Sequence, residues 1–121
     1  MGEIHVLCID DEEELVSAWV ERLLMRGIEA EGVTNGHDAI QRVKEINFDV
    51  VILDIKMPGI SGFEIMKLIK SERPELPVIL ITGHQCQDEE NKSMLAGSFV
   101  CLVKPVNIEI LVEKIMQAIK S

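Results

Sequence analysis

The sequence has little of what several large classes of protein depend on. Only four of its 121 residues are proline and 47% are hydrophobic, which excludes an intrinsically disordered chain. Positive charge is scarce as well, because 12 lysine and arginine residues stand against 21 acidic ones and give a formal net charge of −9. We therefore expect no direct binding of nucleic acid or of an anionic membrane surface.

Long apolar runs and paired cysteines are also missing. No apolar run approaches the roughly 20 residues that span a bilayer. The N-terminal stretch MGEIHVLCIDDEE lacks the basic segment of a signal peptide. Cys8, Cys86 and Cys101 are odd in number and have no C-x-x-C spacing, which predicts thiols in a reducing compartment and neither a disulfide framework nor a zinc site. These absences predict a cytoplasmic protein that does not bind a membrane.

Five short apolar runs are spread along the chain. They cover residues 4–9, 28–33, 50–53, 78–81 and 99–103. Most of them are continuously apolar rather than alternating, which is typical of strands that are covered on both faces in a parallel sheet. The runs therefore predict five parallel strands.

Amphipathic stretches lie between and after these runs. Residues 108–119 show the clearest helical spacing of apolar side chains, whereas 87–96 is mostly polar and is the weakest predicted helix. Ser61 and Glu64 form an S-x-x-E capping box, which predicts the start of another helix. A βα unit repeated five times predicts one α/β domain over residues 1–121, with helices on both faces of the sheet.

Polar side chains end four of the five apolar runs. Asp10 and Asp11 follow the first run, Asp54 the third, Thr82 the fourth and Lys104 the fifth. Because ligands of open α/β sheets bind beyond the carboxyl ends of the strands, we expect these side chains to converge. Three carboxylates suit Mg²⁺, with Mn²⁺ as an alternative, and a lysine and a hydroxyl beside them complete a site for a phosphoryl group. Asp54 is the candidate nucleophile of such a site, forming an acyl phosphate.

Four motifs carry a resemblance to a known family. In chain order they are VLCIDDEEE, LDIKMPGISGFE, ILITGH and LVKP. With these motifs, essentially the whole chain resembles the receiver domain of a two-component response regulator. The resemblance implies a flavodoxin-like (βα)5 fold, which is a three-layer sandwich with a five-stranded parallel sheet of order 2-1-3-4-5.

The resemblance also implies a function, that of a phosphorylation-activated signalling switch. Asp54 would accept a phosphoryl group from the phosphohistidine of a histidine kinase or phosphotransfer protein. Asp11, Asp54 and the backbone carbonyl of Lys56 would bind Mg²⁺, Asp10 would act through a water molecule, and Lys104 would pair with the phosphoryl group. Such a domain is no enzyme apart from self-catalysed phosphotransfer and autodephosphorylation.

Further positions concern how the signal is passed on. The resemblance implies that Thr82 is the switch hydroxyl, that Lys56 and His84 set the rate of self-dephosphorylation, and that the Lys104–Pro105 bond is cis. The family usually has an aromatic residue at the position of Cys101. A thiol cannot fill the volume of that ring, so the usual route of signal output is altered here.

The expected output surface is formed by the predicted fourth helix, the fifth strand and the last helix, called α4-β5-α5 in the family. A downstream protein, an output domain or a second copy in a homodimer are its candidate partners. This chain stops just after the last predicted helix, at Lys120 and Ser121, and we expect no output domain within it.

Several of these residues have a purely structural explanation as well. Asp11 with Glu14 matches a D-x-x-E helix cap. Thr82 is a common residue in strands, Lys104 alone is an ordinary solvated charge, and His84 alone is an ordinary surface histidine.

Two other functions compete with the signalling switch. One is a pseudo-receiver that binds a partner without phosphorylation, which the altered position Cys101 favours and the intact set of polar strand ends opposes. The other is a Mg²⁺-dependent aspartyl phosphatase with Asp54 as its nucleophile. Phosphatases of the haloacid dehalogenase type usually carry a second acid two residues later, where this chain has Lys56.

Overall fold

The computed structural model describes residues 3–55, 59, 61–83 and 98–120. The strands are β1 (His5–Ile9), β2 (Glu29–Val33), β3 (Val50–Asp54), β4 (Val78–Thr82) and β5 (Val100–Val103). The helices within these ranges are α1 (Glu13–Leu24), α2 (Gly36–Glu45), α3 (Gly62–Glu72) and a C-terminal helix (Ile108–Lys120). None of these helices is long and apolar enough to cross a membrane. The helix predicted at 87–96 lies outside the described residues.

The five strands form one parallel sheet in the order β2-β1-β3-β4-β5. This confirms the predicted α/β fold and its strand order. Because all strands run in the same direction, their carboxyl ends meet at one edge of the sheet. β1 and β3 are neighbours there, although β2 lies between them in the chain, so the strand order reverses at this point. Such a reversal opens a crevice in which ligands of this architecture bind.

Two separate apolar cores cover the two faces of the sheet. One is built on α2 and α3, and the other on α1 and the C-terminal helix. β3 supplies both, since Val51 and Leu53 lie in the first core while Val50 and Ile52 lie in the second. Its continuously apolar sequence follows from burial on both faces.

The starts of α1 and α3 differ. Ser61 caps α3, because its Oγ accepts a hydrogen bond from the backbone N–H of Glu64 at 3.2 Å, as the capping box predicts. The residue at the N-cap position of α1 is Glu12, whose side chain makes no capping hydrogen bond. The alternative explanation of Asp11 as a helix cap is therefore wrong, since the helix begins after it.

Gly32 lets α1 lie close against β2. A Cβ atom at this position would overlap Cγ1 of Val16 on the helix. A side chain at this position would displace the Val16 side chain or push α1 away from the sheet edge, so the glycine allows the close approach.

Candidate functional site

Three carboxylates meet at the carboxyl edge of the sheet. Asp54 is the last residue of β3 and is 5% exposed, and Asp10, directly after β1, is 4% exposed. Asp11 follows Asp10 and is exposed. One oxygen from each of the three carboxylates lies within 4.8 Å of the others. The structure thus brings together the three acids that the strand ends predicted.

The ammonium group of Lys104 lies among these acids. Its Nζ is 3.0 Å from Oδ2 of Asp54 and 3.3 Å from Oδ2 of Asp10. The backbone N–H of Lys104 donates to the carbonyl of Thr82 at 2.7 Å, which extends the pairing of β5 with β4 up to the site. The Lys104–Pro105 bond is cis, as the resemblance implies.

The charge on Lys104 is maintained by these neighbours. Partial burial would lower the pKa of its amine, but the hydrogen bond and charge of Asp54, together with the charge of Asp10, raise it above its ordinary value. At neutral pH the site therefore contains a permanent cation beside the buried carboxylate of Asp54.

Asp10 is fixed through both of its carboxylate oxygens. Oδ1 accepts a hydrogen bond from the backbone N–H of Glu12 at 3.0 Å, and Oδ2 accepts one from Lys104. Since buried carboxylates are stabilised only when they are paired and hydrogen-bonded, these contacts explain how Asp10 is accommodated there.

Among the residues that the structure describes, Glu12 belongs to the site and was missed by sequence reasoning. Oε1 of Glu12 lies 3.9 Å from Nζ of Lys104. The acidic run that follows β1 contains this glutamate, but a run of acids does not show which side chain turns toward a lysine more than 90 residues later. The start of α1 decides which acid it is, because the backbone conformation there sets the direction of the Glu12 side chain.

The remaining predicted site residues are only partly described. Thr82 is the last residue of β4, is buried, and lies opposite Val103 in the register with β5. This places it at the same edge as Asp54 and next to the strand that leads into Lys104. Lys56 and His84 lie outside the described residues.

Cys101 is not the free thiol that the sequence predicted. It is half-buried on β5, packs against the core built on α2 and α3, and is disulfide-bonded. The expectation that all three cysteines are thiols is therefore wrong for this residue, whereas Cys8 is a free, buried thiol as expected. Cys86 lies outside the described residues.

The donor set fits a hard divalent cation. Mg²⁺ is bound in proteins by oxygen ligands, commonly one or two carboxylates with several retained waters. Asp10, Asp11 and Asp54 offer such oxygens at mutual distances short enough to share one ion. The exposed side chain of Asp11 leaves this group open to solvent on one side.

A doubly wound parallel sheet with an acidic cluster and a lysine at its carboxyl edge defines an open α/β domain whose candidate ligand site lies at that edge. Residues 6–116 match the family described as the response regulator receiver domain, and this chain belongs to that family. It is therefore a receiver domain of the kind that serves two-component signalling.

Individual relatives agree with this assignment. The transcriptional regulatory protein ZraR of Salmonella typhimurium (strain LT2) is 28% identical over 118 residues, which are 98% of this chain but 27% of that protein. A response regulator receiver domain from Clostridium thermocellum is 34% identical, with a TM-score of 0.89 over 97% of this chain and 94% of that one. The response regulator TrrA of Thermotoga maritima, solved in complex with Mg²⁺ and BeF, is 30% identical, with a TM-score of 0.84 over 95% and 98%.

Proposed function

We propose that this protein is a phosphorylation-activated switch in which Asp54 accepts a phosphoryl group from the phosphohistidine of a histidine kinase or phosphotransfer protein. The observation that carries the proposal is the buried carboxylate of Asp54 at the strand end, with Nζ of Lys104 at 3.0 Å and two further acids beside it. Membership of the receiver domain family supports the same role.

The transfer is a displacement at phosphorus. A carboxylate oxygen of Asp54 attacks the phosphorus atom, the phosphorus–nitrogen bond breaks, and its electron pair stays on the imidazole nitrogen of the donor. The product is an acyl phosphate on Asp54, and attack by water later restores the carboxylate and releases phosphate. Lys104 offsets the added negative charge, since its ammonium already contacts Oδ2 of Asp54. The chain acts only on itself and turns over no external metabolite.

Asp11 and Asp54 would hold Mg²⁺, with Mn²⁺ as an alternative, together with the backbone carbonyl of Lys56 that the resemblance implies. When bound, the ion supplies positive charge to the phosphoryl oxygens. Both oxygens of Asp10 already accept hydrogen bonds from Glu12 and Lys104, which favours a contact through water for this residue.

The signal would leave through the surface of β5 and the C-terminal helix, with Thr82 as the switch hydroxyl. This part of the molecule leaves large apolar side chains exposed: Phe99, Val103, Ile110, Met116 and Ile119. A downstream protein, an output domain or a second copy of the chain would cover them. Cys101 stands on β5 at the position of the usual aromatic switch and is disulfide-bonded, so no aromatic ring is there to turn.

Intact-protein mass spectrometry tests the proposal. The protein is incubated with acetyl phosphate in Mg²⁺ or in EDTA, and wild type is compared with Asp54→Asn. We expect one labile phosphoryl group on wild type in Mg²⁺, and none in EDTA or on the variant. If neither acetyl phosphate nor a phosphorylated histidine kinase modifies wild type, the protein is a phosphorylation-independent interaction domain. Steady hydrolysis of a generic phosphate ester would instead identify an aspartyl phosphatase.

A further inference from the structure

Glu12 occupies the N-cap position of α1, but its side chain does not cap the helix. Its backbone is extended, with φ −88° and ψ 101°, and its carbonyl accepts the first helical hydrogen bond from the N–H of Val16 at 3.0 Å. Serine, threonine, aspartate and asparagine are the usual residues here, because their short side chains reach the N–H groups of the first turn. The side chain of Glu12 makes no such hydrogen bond, so the helix start does not account for its position.

The carboxylate of Glu12 instead faces the site. Oε1 lies 3.9 Å from Nζ of Lys104, and the backbone N–H of the same residue donates to Oδ1 of Asp10. Three carboxylates therefore share one ammonium group, at 3.0 Å for Asp54, 3.3 Å for Asp10 and 3.9 Å for Glu12. Glu12 is the member of this set that faces solvent, since its side chain is 66% exposed and those of the two aspartates are 6% exposed.

We propose that Glu12 is a positioning residue, whose carboxylate competes with a phosphoryl group on Asp54 for the ammonium group of Lys104. This inference rests on the proposed function of Asp54. A phosphoryl group adds strong anionic acceptors beyond the carboxylate that Lys104 now contacts, and the ammonium group has to turn toward them. Glu12 opposes that movement and so weakens the phosphorylated state through its contact with Lys104.

The exposure of Glu12 sets the size of the effect. Because the carboxylate is exposed, water can take the place of Lys104 beside it with little loss of free energy. Exposed ion pairs therefore contribute only small free energies. The expected change in the affinity for a phosphoryl mimic is about two- to fivefold.

Beryllium fluoride in saturating Mg²⁺ is the probe, and isothermal titration calorimetry measures its affinity. We expect Glu12→Gln to bind the probe about two- to fivefold more tightly than wild type. Glu13→Gln is the matched control, because Glu13 is an exposed acid next in the chain and forms no ion pair with the described residues. It removes the same charge but should leave the affinity unchanged.

The variant Glu12→Asp distinguishes the contact of Glu12 with Lys104 from a general effect of its negative charge. Aspartate keeps the negative charge, but its side chain is shorter by one methylene and favours the helix cap over Lys104. We expect Glu12→Asp to match Glu12→Gln, whereas an effect of charge alone would leave it like wild type. On a Lys104→Met background, Glu12→Gln should change nothing. A thermal midpoint of Glu12→Gln equal to that of wild type shows that the fold is unaltered, whereas Glu12→Asp should melt at a slightly higher temperature because its side chain caps α1.

The outcomes distinguish this inference from the function on which it rests. If wild type binds beryllium fluoride and Glu12→Gln binds it no more tightly, or if Glu13→Gln gains as much, the positioning role is wrong and the phosphorylation switch stands. If wild type neither binds beryllium fluoride in Mg²⁺ nor becomes phosphorylated, the proposed function fails, and the role of Glu12 fails with it.

Discussion

Nζ of Lys104 lies 3.0 Å from Oδ2 of Asp54, although Asp54 ends β3, Lys104 follows β5, and these two strands do not pair with each other. β4 lies between β3 and β5, so the lysine side chain crosses the end of that strand to reach the aspartate. The contact thus ties the edge of the sheet to its centre.

Replacing Lys104 should slow phosphorylation of Asp54. Lys104→Met removes the cation that offsets the added charge, and hydrogen bonds between charged groups of this kind correspond to roughly ten- to a hundredfold in rate. Lys104→Arg should restore little of the loss, since a planar guanidinium does not replace a compact ammonium group. Single-turnover phosphorylation by acetyl phosphate, followed by mass spectrometry, measures the rates. Wild-type rates in either variant would contradict a role for this contact.

Mg²⁺ should stabilise the wild type through its acidic cluster. In EDTA the three carboxylates repel one another, so Asp11→Asn should raise the free energy of unfolding by roughly 1 kcal/mol. The same variant should lose most of the stabilisation by Mg²⁺, which reaches about 2.7 kcal/mol for a ligand at 100 times its Kd. Denaturant unfolding with and without Mg²⁺ measures both effects. Glu14→Gln, which removes an exposed acid outside the cluster, should keep the response to Mg²⁺.

Gly32→Ala should destabilise the protein by about 1–3 kcal/mol, because the new methyl group meets Cγ1 of Val16. The control is Gly83→Ala, since a Cβ atom at Gly83 would meet nothing within 4 Å. The penalty of Gly32→Ala should shrink on a Val16→Ala background, where the obstructing atom is absent. Equal penalties on both backgrounds, measured by chemical unfolding, would disprove the clash.

Cys8 should make the protein sensitive to alkali. Burial raises the pKa of its thiol from 9.0 to about 12, so above pH 9 the unfolded chain releases a proton that the folded protein retains. The stabilising contribution is complete below pH 9 and is lost as the pH rises toward 12, by up to about 4 kcal/mol. Cys8→Ala should therefore lose less stability than wild type between these pH values, as measured by denaturant midpoints. A parallel decline of both proteins would show that Cys8 does not titrate in this range.

The fold and most of the acidic site were predictable because they follow from the sequence in which apolar and polar residues succeed one another along the chain. Buried parallel strands are continuously apolar, and the polar residue that ends each of them must lie at the same edge of the sheet, as for Asp54. The contact of Glu12 with Lys104 was not predictable, since it depends on where a helix starts and on which of several neighbouring acids reaches the lysine. The disulfide of Cys101 was missed for a different reason. An odd number of cysteines excludes a complete disulfide framework but not a single bond.

The alternation of side chains along β3 has a consequence for how the domain unfolds. Val50 and Ile52 belong to one core and Val51 and Leu53 to the other, so the two helical layers share a backbone although they share no buried side chain among the described residues. Neither layer can detach without exposing one face of the strand that ends in Asp54. Loosening on one side removes the packing that supports the other, and we therefore expect the domain to unfold as a single cooperative unit.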